Sequence, residues 1–512
     1  MKHAMQILIA LLAIVLLLGT AAGCTTPVEN PVQEDTATQD VTSEEKTETA
    51  EVNLSKLPDK FWDRDFDVAG YSSGYTYGIT SEEEATDQFS QKVFRRNSFL
   101  EEKYGFTIVY KGYPLLAGGE HALVDMVQQD AMTGKTEFEL ISANQGEASS
   151  LVGAGAFLMD LRSPYMKYLD LDADCWNQDC INNLSLKNHV FLLSGDMNVT
   201  EKGALMTMLY NREMIARQNL PVSLPDIVRA GEWTVEKYEE IMKNFSMIDG
   251  DGTVLCYGAT YYNYFCAFIT SCGLTVCEKD DSDLPVLVVN NMRTIDIVDK
   301  VLKVCSLPLY EQDKVVYYQR FSSGAPSTDK FKSGMAAFTA ERTNVILSHY
   351  RDIDTFSLGY LPLPKFDVEQ DRYLTYDYAY FTNKLIVPYM VEDTNFASFC
   401  LQAIGENSKD ILYQYVEIQC KIRGTVDDEQ YEMLSMALEH PVYDLGMVYD
   451  FGGIFQDLFC DSYDHLVSYA HYDAIAITGT NNFSTLYASY GPAATGKIEK
   501  FIASIEYMDS LD

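Results

Sequence analysis

Three short apolar runs decide the fold: Phe66-Asp67-Val68-Ala69-Gly70-Tyr71, Phe106-Thr107-Ile108-Val109-Tyr110 and Phe138-Glu139-Leu140-Ile141. Each reads as a strand, being short, rich in β-branched and aromatic side chains, and followed by turn residues. Between the first two, residues 86–104 carry a helical pattern that ends at Gly105, a C-cap signal. Between the second and third, Leu123, Met126, Val127 and Ala131 share one helical face. This β-α-β-α-β alternation predicts a mostly parallel sheet with helices on its faces. Such a sheet takes ligands in the crevice beyond the carboxyl ends of its strands. Loops 71–78 and 142–148 are therefore the first places to look.

Further along, 204–210 (ALMTMLY) is another apolar strand, leading into Asn211 and a short helix. Thr234 can cap a helix whose Val235, Tyr238, Ile241, Met242 and Phe245 share a face. Stretches 335–339, 356–360 and 385–389 are strand-like, and beyond about 392 the chain is mainly helical. In that part Thr394 caps a segment ended by Gly405, 429–438 is stopped at Pro441, and Ile498, Phe501, Ile502 and Ile505 line a last helix. The strand-end rule adds loops 210–213, 340–344 and 375–380 to the candidates. No internal repeat is evident.

The chain has 512 residues, 47% hydrophobic and 22% charged, which excludes a wholly disordered protein and allows two large lobes. Its 75 acids against 38 bases give a net charge of −37. That field repels phosphate backbones and argues against a nucleic-acid partner. Lys2 and His3 precede twelve unbroken apolar residues, 7–18, too few to span a bilayer and right for a signal-peptide core. Ala21-Ala22-Gly23-Cys24 follows and resembles the bacterial lipobox, with Ala21 where leucine is usual. By that resemblance 1–23 is a lipoprotein signal peptide and Cys24 the lipidated first residue. Residues 24–58, rich in Thr, Glu and Pro, read as a disordered acidic tether.

The chemistry-bearing motifs are sparse. Eleven cysteines include Cys24, and the ten others permit disulfides without choosing among pairings. Cys175/Cys180 and Cys272/Cys277 have C-x4-C spacing, yet no histidine lies near either pair, so buried thiols or disulfides are expected rather than metal. Gly70-Tyr71-Ser72-Ser73-Gly74 matches the nucleophile elbow G-x-S-x-G. It follows the first strand of the body and precedes a poor helix, so a ligand loop or plain turn is the preferred reading. A secreted α/β hydrolase using Ser72 stays as the alternative. Asp249-Gly250-Asp251-Gly252 lacks the later ligands of a calcium loop and reads as a tight turn. No cofactor, metal or catalytic group is expected. The remaining signal is aromatic: residues 257–265 (YGATYYNYF) and 373–381 (YLTYDYAYF) each hold five aromatics in nine.

Several segments in order resemble the extracellular solute-binding proteins of bacterial ABC importers, the sugar-binding type (family 1-like). They are Leu209-Tyr210-Asn211-Arg212-Glu213-Met214, Gln218-Asn219-Leu220-Pro221, Glu232-Trp233-Thr234, Asp249-Gly250-Asp251-Gly252 with Tyr257-Gly258, Phe331-Lys332-Ser333-Gly334-Met335-Ala336-Ala337-Phe338, and Leu361-Pro362-Leu363-Pro364. The Trp233-Thr234 order is reversed from the family's. The resemblance implies an α/β, two-lobed periplasmic-binding-protein-like fold (type II) with a hinge between lobes. Lobe one is expected at 59–205 plus 341–390 and lobe two at 206–340 plus 391–512. It implies a binding protein, not an enzyme, anchored by lipid on the extracellular face of the cytoplasmic membrane. Its partners would be a small solute, an oligosaccharide, and ABC permease subunits. Ligand-binding residues implied are Tyr71, Tyr75, Asn144, Gln145, Tyr210, Tyr262, Tyr264, Glu341, Arg342, Asp377 and Tyr378.

Overall fold

A computed structural model describes residues 57–71, 78–81, 85, 87–113, 122–153, 158–262, 264–319, 326–350, 353–377, 382–420, 427–460 and 475–510. The leader 1–23, Cys24, most of the expected tether, Ser72, Tyr75 and Tyr378 lie outside them. Strands are numbered in chain order. β1 (Arg64–Tyr71), β2 (Phe106–Tyr113) and β3 (Leu140–Asn144) are the three runs of the opening reading. They pair in parallel, with Tyr71 opposite Tyr113 and Val68 opposite Leu140. β3 is buried along its whole length, as a strand covered on both faces must be. Helix Gln88–Tyr104 joins β1 to β2. Asp87 caps it by accepting from Ser90 N at 2.8 Å, and Gly105 ends it at φ 68°. That left-handed turn is where glycine has no Cβ to strain.

The second sheet takes β4 (Met206–Asn211), β5 (Met247–Ile248), β6 (Val254–Tyr262), β9 (Val316–Gln319), β10 (Ala336–Arg342) and β11 (Leu358–Leu361). Its order is β11-β4-β10-β6-β5, with β9 beside β6. β6, β9 and β10 run parallel, while β4 lies antiparallel to both β10 and β11. β7 (Cys277–Lys279) and β8 (Pro285–Leu287) form a separate hairpin. β12 (Asn383–Ile386) returns to the first sheet, antiparallel to β3, giving the order β12-β3-β1-β2. Two α/β lobes result.

Three stretches differ from the expected boundaries, the last being helix Lys409–Cys420, expected in lobe two, whose Tyr415 ring lies 5.4 Å from Phe89 of helix Gln88–Tyr104. β11 belongs to the second sheet, because Leu358 and Leu361 pair with Asn211 and Met208 of β4. Helix Thr394–Glu406 packs on the first sheet instead of the second. Its Phe396 meets Phe66 and Phe106 edge-on at 6.0 and 6.4 Å, and Gln402 accepts from Trp176 Nε1 at 3.1 Å. All three follow from burial: the apolar face of each segment finds its partners in the other lobe. The chain thus crosses between lobes before β4, between β11 and β12, and again between helices Lys409–Cys420 and Asp428–Leu438.

The family-like motifs have local reasons. Trp233 is fully buried and its Nε1 donates to Pro362 O at 3.0 Å, tying the tryptophan turn to the Leu-Pro-Leu-Pro turn. Thr234 caps helix Val235–Lys243, as expected. The Asp249 turn is closed by its own carboxylate, which accepts from Asp251 N and Thr253 N. Cys175, Cys180, Cys256, Cys266, Cys272, Cys277, Cys305, Cys400 and Cys460 are buried, free thiols. Burial pushes the Cys175, Cys180 and Cys272 thiols up to about 12. No cluster that could hold a metal ion occurs among the described residues, and no described helix is long and apolar enough to cross a membrane.

Candidate functional site

The carboxyl edge of the first sheet is polar. β3 ends at Asn144, which caps helix Gln145–Gly153 by accepting from Glu147 N at 2.9 Å. Asn144 Nδ2 donates to Tyr71 OH at 3.3 Å, joining the ends of β3 and β1. Gln145 N donates to Thr382 O at 3.0 Å, and Asn383 Nδ2 to Ser142 Oγ at 3.0 Å, which brings in the start of β12. Asn144, Gln145, Thr382 and Asn383 are all buried.

The carboxyl edge of the second sheet is built around Glu341. Three hydroxyls converge on its carboxylate: Tyr350 at 2.8 Å, Tyr264 at 3.0 Å and Thr328 at 3.3 Å. Each comes from the segment that follows a different strand, β10, β6 and β9 respectively. Glu341 therefore holds three loop-to-helix segments in one arrangement. Burial pushes its carboxyl above the ordinary range, opposed by Tyr350 and the neighbouring Arg342. Half-buried Tyr262 presents its ring 6.1 Å from that of Tyr264.

The two edges meet at the chain crossings. Thr343, just past β10, donates N–H and hydroxyl to Leu205 O, each at 3.0 Å. Leu205 pairs with Asp377, and Met206 N donates to Tyr376 O at 3.2 Å. Asp377 in turn meets Lys384 Nζ at 3.0 Å, and the same ammonium meets Glu201 at 2.7 Å. Glu201 also accepts from Ser194 Oγ at 2.7 Å and Tyr443 OH at 2.8 Å. Burial raises Asp377 above the usual carboxylate range, whereas the Lys384 charge holds Glu201 below it in spite of burial.

Of the expected site residues, Tyr71, Asn144 and Gln145 stand together at one edge, and Tyr262, Tyr264, Glu341 and Arg342 at the other. Asp377 lies at the crossing between them. Tyr210 does not join them. It sits opposite Phe338 near the amino end of β10, so it belongs to the far side of the sheet. Its hydroxyl accepts from Gln430 Nε2 at 3.2 Å, and its ring fills the space a side chain on Gly359 would need. Tyr210 is a core residue. The aromatic run at 257–265 splits the same way. Tyr261 and Phe265 are core, Tyr261 sharing a hydroxyl hydrogen bond with Tyr238, and only Tyr262 and Tyr264 reach the edge.

Sequence reasoning missed Glu201, Lys384 and Tyr443. A lysine directly before the apolar run Leu385-Ile386-Val387 is the one visible sign, since a buried ammonium requires partners. Nothing local marks Glu201.

No family model and no curated protein matches the chain. Solved structures do. UspC of M. tuberculosis superimposes with a TM-score of 0.53 at 12% identity, covering 84% of this chain and 99% of that one. UgpB of Mycobacterium tuberculosis, in complex with glycerophosphocholine, does so with 0.51 at 11%, covering 87% and 98%. A cyclo/maltodextrin-binding protein complexed with maltotetraose gives 0.48 at 12%, covering 87% and 97%. At these identities the likeness is one of fold.

Proposed function

We propose that this chain is a solute-binding protein that captures a small polar solute between its lobes and hands it to an ABC permease, without catalysis. The observation that carries the reading is the convergence of both sheets' carboxyl edges on the same crossing segments. Ligands of open α/β sheets sit beyond those edges, and domain closure about crossing segments is a recognised motion. A protein of like fold holding glycerophosphocholine supports the general class.

The finer reading is an oligosaccharide. Sugars present C–H faces that aromatic planes cover and hydroxyls that take paired hydrogen bonds. Tyr262 is the platform candidate, with Asn144, Gln145, Arg342 and Tyr71 as polar partners; Tyr75 and Tyr378 are further candidates from the sequence. Glu341 and Asp377 act behind this wall, holding it in place. Isothermal titration with a panel of maltodextrins, glycerophosphocholine and free monosaccharides tests the class. Saturable binding without turnover supports it, and hydrolysis of any compound overturns it. Labelling of Ser72 by a fluorophosphonate would restore the hydrolase alternative.

Cys24 is the proposed lipid anchor, on the extracellular face of the cytoplasmic membrane. Cys24→Ser should release the protein into the medium, because stable attachment needs acyl chains. A variant as membrane-bound as the natural chain would rule the anchor out.

A further inference from the structure

Charge counting at the lobe crossing gives an imbalance. Glu201, Asp377 and Lys384 are 3%, 3% and 0% exposed. Two carboxylates face a single ammonium there, at 2.7 and 3.0 Å. The other titratable groups around them are the Cys180 thiol, the Tyr443 hydroxyl and, beside Glu201, Lys202. Burial pushes the Cys180 thiol up to about 12 and raises the Tyr443 phenol well above its ordinary value, so both are neutral. Lys202 is only half-buried and directs its amine to Leu438 O at 3.4 Å. With both carboxylates ionised, one uncompensated negative charge would sit in a low-dielectric interior, a state proteins avoid by protonation.

The two carboxylates are not equivalent. Glu201 accepts from Lys384, Ser194 and Tyr443. Asp377 shares Lys384 and has the Thr382 hydroxyl as its other neighbour. Donors favour the ionised form, so the better-supplied Glu201 keeps the charge. We propose that Asp377 takes up a proton in the folded chain, making the Glu201–Lys384–Asp377 cluster a proton-binding site at the crossing between the lobes. Its proton comes from solvent and bonds to a carboxylate oxygen of Asp377, leaving a neutral acid beside a one-to-one Lys384–Glu201 pair. Because Asp377 pairs with Leu205 on the neighbouring crossing, the protonation state is read by the segments that join the lobes.

Two measurements test this without knowledge of the solute. In urea unfolding followed from about pH 8 to about pH 5, Asp377→Asn should lower the pH slope of the unfolding constant by about one proton. It should also unfold at higher urea than the natural chain at about pH 8, since the amide mimics the neutral acid. An unchanged slope, or a variant weakened most at the higher pH, overturns the proposal. Infrared spectra of chain carrying carbon-13 aspartate provide the second arm, should that variant fail to fold. Glu201→Gln balances Lys384 against Asp377 alone, so one protonated aspartate present at about pH 5 should disappear. Identical carboxyl bands in Glu201→Gln and the natural chain would refute the site.

Discussion

Glu341 and Glu201 are both glutamates, both 3% exposed, and both beside the place where the lobes meet. Burial pushes the first above the ordinary carboxylate range, and the second is held below it. Glu341 has three hydroxyls on its carboxylate; Glu201 has two hydroxyls and an ammonium. One full charge at hydrogen-bond distance outweighs an extra hydroxyl, because a Coulomb term is strengthened by the same low dielectric that penalises burial. The difference separates two kinds of support. Around Glu341 neutral donors orient loops, and loss of one donor is local. Around Lys384 the cation is indispensable, since its removal leaves the buried Glu201 charge with no counter-ion.

The largest effect follows from that dependence. Lys384→Met should destabilise the fold by about 3–5 kcal/mol, the cost of breaking a buried pair by removing one partner. Urea midpoints at about pH 7 measure it. A loss no greater than that of an ordinary surface substitution would erase the contrast. Tyr350→Phe, on the other side, strips one hydroxyl from Glu341 and should cost about 1 kcal/mol. Equal losses in the two variants would mean that charge plays no special part.

The pH dependence sharpens the comparison further. Burial raises Asp196 and Asp444 to about 6 from an ordinary value of 3.8, as it raises Glu341 from 4.5. In the window between ordinary and raised values the folded chain binds more protons than the unfolded one. Stability should therefore grow as pH falls from about 7 toward about 5, at roughly 1.4 kcal/mol per proton and pH unit. His189, between Asp160 at 2.9 Å and Asp509 at 2.8 Å, works in the same direction. Its pKa is raised to about 9, so its contribution is complete below 6.5 and is lost as pH rises from there through about 9. Glu201 acts oppositely: its stabilisation is present above 4.5 and disappears on further acidification. Melting temperature should accordingly be higher at about pH 5.5 than at about pH 8.5. A monotonic fall on acidification from pH 8 would contradict these assignments.

The smallest effect on stability is expected at the binding surface. Tyr262→Ala should weaken affinity by about 0.5–1.5 kcal/mol beyond the lost contact area while leaving the melting temperature nearly unchanged, because the ring is only half-buried. A depressed melting temperature with intact affinity would move Tyr262 into the core alongside Tyr261.

Much of the architecture was legible because hydrophobic period and turn chemistry act locally. Gly105, Asn211 and Thr234 mark helix ends by hydrogen bonds to residues a turn away. The first sheet followed from three runs and the helices between them. Lobe membership of β11 and of helix Thr394–Glu406 was not legible, since it depends on which distant apolar face each segment covers. The same limit applies within the site. Asn144 and Glu341 were found through their places after strands, but Tyr210 shares that sequence context and points to the opposite end of an antiparallel strand. Strand direction is a property of the sheet, invisible in 204–210 alone. Glu201 and Lys384 meet across 183 residues of chain, and no spacing rule spans that distance.

The late return of β12 bears on how the chain is made. β3 lacks its outer neighbour until Asn383–Ile386 exists, and the face formed by Phe66, Phe106 and Leu140 stays uncovered until helix Thr394–Glu406 arrives. A chain emerging amino end first therefore cannot finish its first lobe until roughly its last quarter is synthesised. Loop-closure entropy is met late and all at once. Through most of its synthesis the amino-terminal half thus lacks both the edge strand and the helix that complete its sheet.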